Sequence, residues 1–496
     1  MKAWIIAGFV LATLAGPAQA ATPAAVPAAE LEPPAPAASM PLEQGLQSLL
    51  DEALLANLEL RASGASVQQR LAALDQARAR YLPVIDFAAR YSVADGGRTI
   101  EFPVGDLLNP VYSTLEELLA SQGQPSQFPR VRNESIELLR EREQETKLVL
   151  EQPLYEPRLG PAVEARRADT TRAEADLAAL RAQVVRDMKQ AYYRWIASQQ
   201  AVTVLDATLD ATRENLRANS SLYRNGKVTR DLVYRAEADV LEIEQERLAA
   251  ASRVRIAQSY VNLLRNAPLA QPLPAATLDA ATIDRFRARL LSALAGRQLE
   301  AQRLQEIASE RRQELKSLDA AIAAGEAQQD LARAAFKPAL ALGAEAGIQG
   351  TDYGFEVDDR YVLASLVLRF NAFRGGADQA ALREARALTD ELRATRALAD
   401  QRVRLEVQQA VENFGVAEAS LDTAAKRAEA AAGAFTIISR KRDLGQINQA
   451  EFIDARRAAT DAQLNVTRVR TEYLGRLAEL EFAIGDARRV DQERLP

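Results

Sequence analysis

The chain contains no cysteine and no histidine. The first absence excludes disulfides, thiol chemistry and thiolate metal sites. The second confines any zinc site to oxygen ligands and rules out a Ser-His-Asp triad. Only three methionines are present, which gives no support to soft-metal binding. No nucleophile elbow, phosphate loop or metal constellation occurs, so the expectation is a protein that is no enzyme and needs no cofactor or metal. Past the N-terminus no apolar run reaches about 18 residues, and a transmembrane helix is not expected. The mature protein is then either free in the periplasm, secreted, or inserted in a membrane as β-strands. A net charge of −6 over 496 residues argues against a nucleic-acid partner.

What is present begins with an export signal. Lys2 precedes an apolar run, Ala3–Leu14, then Gly16, Pro17 and the small-residue site Ala18-Gln19-Ala20. This reads as a signal peptide over residues 1–20, cut after Ala20. Residues 21–40 are Ala/Pro-rich and read as an extended linker. From Pro41 onward most of the chain is rich in Ala, Leu, Arg, Glu and Gln, all good helix formers. Ala162–Ser220, Thr229–Leu264, Asp378–Ser439 and Asn448–Phe482 contain no proline. Helices of that length exceed the globular norm and predict coiled-coil-like packing.

Four short segments alternate instead. Residues 84–93 put Ile85, Phe87, Ala89, Tyr91 and Val93 on one face. Residues 339–348 and 361–370 behave alike, and 146–152 is a weaker example. Period-two alternation predicts strands with one apolar and one polar face. About ten residues suffice for a tilted strand to cross a bilayer.

The chain also repeats itself. Ala77-Arg78-Ala79-Arg80-Tyr81-Leu82-Pro83 is echoed 255 residues later by Ala332-Arg333-Ala334-Ala335-Phe336-Lys337-Pro338. Asn225-Gly226-Lys227-Val228 is echoed 219 residues later by Leu444-Gly445-Gln446-Ile447. The fall in offset places about 36 extra residues between the strands of the first copy. The predicted organisation is a first helix-strand-strand-helix repeat over 41–266 with a long loop over 94–145, a linking segment over 267–306, a second repeat over 307–486 and a tail over 487–496. Four strands are too few for a membrane barrel, which needs at least about eight. Open sheet edges cannot face lipid, so several chains are expected to share one barrel.

In this layout the chain resembles the TolC-like outer-membrane efflux proteins. The resemblance rests on Tyr81-Leu82-Pro83, on Leu150-Glu151-Gln152-Pro153-Leu154-Tyr155, on Phe373-Arg374-Gly375-Gly376 and on the two turns. It covers roughly residues 41–486. The Asn-Pro-x-Leu usual in the first helix is Asn57-Leu58-Glu59-Leu60 here, and the first hairpin is unusually long. The resemblance implies a mainly α fold with a small β portion. Long helical hairpins would form a periplasmic α-barrel, and four strands would join a shared trimeric transmembrane β-barrel. It implies an outer-membrane channel subunit of a tripartite efflux or type I secretion system in a Gram-negative bacterium. The partners implied are two further copies, outer-membrane lipid, a periplasmic adaptor and an inner-membrane pump. The linking segment would belong to a belt around the middle of the tunnel. The competing reading is a periplasmic coiled-coil structural or adaptor protein.

Two sets of site residues follow. Asn225, Gly226, Lys227, Val228 and Thr229, with Leu444, Gly445, Gln446, Ile447 and Asn448, form the turns where the resemblance implies adaptor docking. Gly226 and Gly445 suit the left-handed helix end. Thr229 and Asn448 can cap the next helix, with Glu451 in capping-box position. Glu451 and Asp454 share a helix face, and the resemblance implies an acidic ring at the closed aperture, with Asp231 a weaker companion. Tyr192, Tyr193 and Trp195 are expected to pack in a core or between protomers.

Overall fold

The architecture comes from a computed structural model, which describes residues 41–124, 126–293, 300–352, 356–444 and 446–486. The signal peptide, the linker over 21–40, Gly445 and the tail over 487–496 lie outside the described residues. The first repeat runs α1 (Leu42–Ala56), α2 (Leu58–Ala79), β1 (Val84–Val93), β2 (Thr99–Phe102), α3 (Val104–Ser121), β3 (Glu134–Glu137), β4 (Arg142–Tyr155), α4 (Leu159–Arg224) and α5 (Arg230–Leu264). After α6 (Ala280–Ala293) the second runs α7 (Ala301–Arg311), α8 (Gln313–Ala334), β5 (Ala339–Gly350), β6 (Arg360–Arg369), α9 (Ala377–Asp443) and α10 (Gln449–Ala483). The fold is mainly α with a small β portion, as expected.

α4 and α9 hold 66 and 67 residues, about 100 Å each at 1.5 Å per residue. Their ends repeat one device. Lys227 N–H donates to Leu222 O at 2.9 Å and Gly226 N–H to Tyr223 O at 2.9 Å. Gly226 stands at φ +65°. This is the Schellman ending, which satisfies carbonyls that a helix terminus leaves bare. Gln446 N–H bonds Lys441 O at 2.9 Å in the second copy. The hairpins' second helices also end alike, with left-handed Asn266 (φ 54°) after α5 and Gly485 (φ 73°) after α10.

A further repeated device is invisible as sequence. α1 and α2 are separated by Asn57, and α7 and α8 by Arg312, each with ψ near 125°. Asn57 accepts from Glu59 and Leu60 N–H and donates to Leu264 O at 2.8 Å. Arg312 grips Glu314 with two nitrogens and donates to Ala483 O at 3.3 Å. Leu264 and Ala483 are the last residues of α5 and α10. Each break is thus tied to the same carbonyl of its own repeat. The segment Asn57-Leu58-Glu59-Leu60, where Leu58 replaces the usual proline, is this joint.

The strands form one antiparallel sheet in the order β1-β4-β5-β6. Phe87 faces Leu148, Leu148 faces Ala346, and Ala346 faces Val362. An apolar row therefore crosses the sheet, and Phe87 and Val362 are 70% and 83% exposed. β4 starts at Arg142, ahead of the expected Thr146, because Arg142–Glu145 are polar on both faces and show no alternation. The long loop is itself ordered: β2 pairs β3, and α3 passes through Pro110, where a sequence reading stops a helix.

The main core sits at mid-height. Leu46, Met188, Tyr192, Trp195, Ile196, Leu278, Phe286, Val407, Phe414, Tyr473 and Leu477 belong to one buried cluster. It joins α1, the segment after α5, α6 and α7 to the middles of α4 and α9 and the end of α10. The Tyr192 hydroxyl donates to Pro274 O at 2.8 Å, and Tyr192 and Trp195 stack at 5.8 Å. The expected packing role of these aromatics is what the structure contains.

Candidate functional site

The two hairpin turns lie side by side at one end of the molecule. Arg442 reaches Asn215 at 3.4 Å, and Asn219 reaches Gln449 at 3.5 Å. Asn225, Gly226, Lys227 and Thr229 are exposed, and Val228 is half-buried. Leu444, Gln446 and Asn448 are exposed and Ile447 half-buried. Nothing lies within 4 Å of where a Gly226 side chain would begin. The turn is closed by backbone bonds and by the Asn225 amide, which donates back to Ser221 O at 2.9 Å, so its outer surface is open to a partner.

The caps differ between the copies. Asn448 caps α10, its oxygen accepting from Glu451 N–H at 2.9 Å. Its amide donates to the Glu451 carboxylate at 3.0 Å, a side-chain version of the capping box. Thr229 does not cap α5 as expected. Its oxygen accepts no N–H of α5, and its hydroxyl donates to Asp231. Glu451, Asp454 and Asp231 are all exposed. Asp231 is held on its own turn, and Glu451 on its own cap.

Above the tips the two hairpins differ in how they cohere. Within the first, α4 and α5 share an apolar cluster of Leu205, Leu209, Val240, Ile243 and Ala250. Within the second, Ala424, Val466 and Val469 do the same. Between the hairpins the contacts are polar. Thr208 and Thr460 hydroxyls lie 3.2 Å apart, and Arg457 meets Glu242 at 2.5 Å. Arg456 of α10 donates to Asp239 of α5 at 2.7 Å, with side chains 3% and 2% exposed. Asp239 Oδ2 and Arg456 Nε and Nη1 have no other partner. Burial pushes the Asp239 carboxyl up, against the opposing pull of Arg456. This pair escaped the sequence reading, since Asp239 and Arg456 look like members of a solvated helix face.

At the other end the sheet carries charge on the face opposite its apolar rows. Lys147 bridges Glu145 at 3.1 Å and Glu345 at 3.4 Å, and Arg90 reaches Glu145 at 3.4 Å. Lys147 pairs with Gly347, whose added Cβ would stand 2.8 Å from Lys147 Cβ. Glycine there gives the lysine room to lie across the strands. No group of acidic residues poised to hold a metal occurs among the described residues, and none of their helices is long and apolar enough to cross a membrane.

Residues 304–486 match the model of the family described as outer membrane efflux protein. No curated protein matches the chain by sequence. Solved structures match nearly the whole fold. A membrane protein from Pseudomonas aeruginosa has a TM-score of 0.71 at 19% identity, over 90% of this chain and 94% of that one. The Campylobacter jejuni CmeC outer membrane channel gives 0.71 at 15%, over 90% and 86%. The open state of the Neisseria gonorrhoeae MtrE outer membrane channel gives 0.69 at 18%, over 90% of each. At such identities the likeness is one of fold.

Removing one partner of the buried pair should be costly. Arg456→Met leaves Asp239 buried without a cation and should destabilise the hairpin contact by about 3–5 kcal/mol. Asp239→Leu with Arg456→Met should recover most of that loss. Thermal unfolding of the assembled protein checks both; an unshifted single variant would show that water, not the arginine, satisfies Asp239.

Proposed function

We propose that the chain, an outer-membrane efflux protein by the family its second repeat matches and by its fold, is one subunit of a three-chain export duct. The observation that carries this reading is the open four-stranded sheet. Among the described residues β1 and β6 each lack a partner on one side, and a bilayer does not tolerate bare strand edges. Pairing β1 of one copy with β6 of the next supplies the missing bonds. Three copies give a twelve-stranded barrel, within the range of outer-membrane barrels. Its apolar rows face lipid, and Lys147, Glu145, Glu345 and Arg90 line the lumen.

The helices support the same closure. Leu241 and Leu248 on α5 are exposed seven residues apart, as are Leu398 and Leu405 on α9. Heptad spacing is what a neighbouring helix requires. α5 and α9 thus carry seams through which adjacent copies complete a tunnel reaching into the periplasm. The tunnel is a passive duct from periplasm to exterior, linked at its tips to a periplasmic adaptor and an inner-membrane pump. The docking residues are Asn225, Gly226, Lys227, Val228 and Thr229 with Leu444, Gly445, Gln446, Ile447 and Asn448. Glu451, Asp454 and Asp231, repeated threefold, gather carboxylates at the aperture, which favour cations and repel one another. Opening separates the hairpins along their polar contacts and leaves each hairpin's apolar cluster intact.

The protein should resist extraction of membranes by high salt and migrate as a heat-dissociable trimer. A salt-extractable monomer would point to the periplasmic adaptor or structural reading.

Gly226→Val puts a β-branched residue at φ +65°, at about 1–2 kcal/mol. Export should fail while trimers persist; undiminished export would remove the tip from the docking surface.

Glu451→Ala with Asp454→Ala should weaken cation selectivity in planar bilayers. The same selectivity in wild type and variant would leave Glu451 with its capping role only.

A further inference from the structure

The long first hairpin carries a helix whose polarity is inverted. β2 and β3 prolong the β1–β4 hairpin, with Ala94 N–H on Glu141 O and Leu138 N–H on Arg98 O, both 2.9 Å. α3 sits at the end of this arm and holds its own chain through polar groups. Asn109 exchanges two hydrogen bonds with the Val131 backbone, at 2.8 and 2.9 Å. Glu116 accepts from Phe128 N–H at 2.6 Å, and Tyr112 stacks on Phe128 at 5.2 Å. Gly105 lies so close that a Cβ would meet Val131 O at 2.5 Å.

A neighbouring face, about a third of a turn round the helix, is apolar. Val104, Leu108, Val111, Leu115 and Leu118 recur at steps of four, three, four and three. That is a coiled-coil seam, with Leu108 and Leu115 at a and the others at d. Its length is about 21 Å at 1.5 Å per residue. Val111 is 52% and Leu118 54% exposed. A row of exposed apolar side chains of this kind marks a contact surface.

The charges indicate what covers it. α3 contains three charged residues, Asp106, Glu116 and Glu117, all acidic. They fall at f, b and c, away from the seam and its flanks, so identical helices meet there without facing like charges. A helix lying on an anionic lipid surface would instead carry Lys or Arg on its polar face. Leucine at a with β-branched Val104 and Val111 at two of the three d positions resembles the Leu-a, Ile-d pattern that shifts packing beyond two strands.

We infer that the three α3 helices of the channel pack seam to seam on its threefold axis and cap the outer mouth. The occupant of each apolar face is the same face of the other two copies. The inference rests on the trimeric duct proposed above. Strand order supports it, because β1, from which the arm springs, is the sheet edge where copies join. Isolated, so short a seam would not hold. The barrel anchors all three arms and removes that limit. The cap is a door closed by apolar contact, and it opens when the helices part.

The absence of native cysteine allows a clean test in the full chain. Leu115→Cys, treated with a short bis-thiosulfonate cross-linker on whole cells, should yield a covalent dimer. Glu117→Cys, at c, should not. Cross-linking should lower single-channel conductance, and reductant should restore it. Leu108→Cys, one heptad earlier, repeats the measurement if Leu115→Cys assembles poorly. Trimers with no cross-link at 108 or 115, or with equal cross-linking at 117, would overturn the cap and leave the duct standing. Such trimers seated instead on lipid would show Leu115→Cys protected by bilayer and still monomeric. Absence of trimers would overturn both readings.

Discussion

An unpaired strand edge cannot be left in hydrocarbon, and the rest of this molecule is arranged around that constraint. Among the described residues β1 and β6 end the sheet with nothing beside them. In the duct proposed above another copy of the chain supplies their hydrogen bonds, and the antiparallel order sends all connecting helices to one side. The helices must then continue the symmetry that the strands impose. Exposed seams on α5 and α9, and polar groups on one face of the sheet, follow from that single demand.

The helical part distributes its adhesion unevenly. Mid-height is strongly apolar, where α1, α6 and α7 wrap the middles of α4 and α9. Toward the tips each hairpin retains its own apolar cluster, and the hairpins meet through hydroxyls, amides and one buried ion pair. Apolar burial favours a standing contact. A desolvated Arg456–Asp239 pair returns little net energy, because its Coulomb attraction offsets the cost of leaving water. A contact of that kind specifies one alignment yet leaves it within reach of separation.

Much of this was legible in residues. Strands over 84–93, 339–350 and 360–369 show themselves because one face meets an apolar medium and the other water. The turn at 226 was legible because only glycine sits easily at positive φ. Arg142–Glu145 hid the start of β4, since both faces there are polar. Pro110 conceals α3, a helix inside the long loop over 94–145. Thr229 suggested a cap, but its oxygen accepts no α5 N–H and its hydroxyl turns to Asp231. The pairing of Asp239 with Arg456 could not be read at all: two residues 217 apart acquire a relation only when α5 and α10 are laid together.

The joints at Asn57 and Arg312 share one position in two repeats but not one chemistry. Asn57 holds Leu264 with a neutral amide. Arg312 holds Ala483 with a cation that also meets Glu406 at 2.9 Å and lies over Phe482 at 4.7 Å. The two repeats therefore secure one bend by unlike bonds, a neutral amide in the first and a guanidinium in the second. In the duct proposed above, three copies would set six such joints of two kinds around the tube, one kind closed by an amide and the other by a guanidinium.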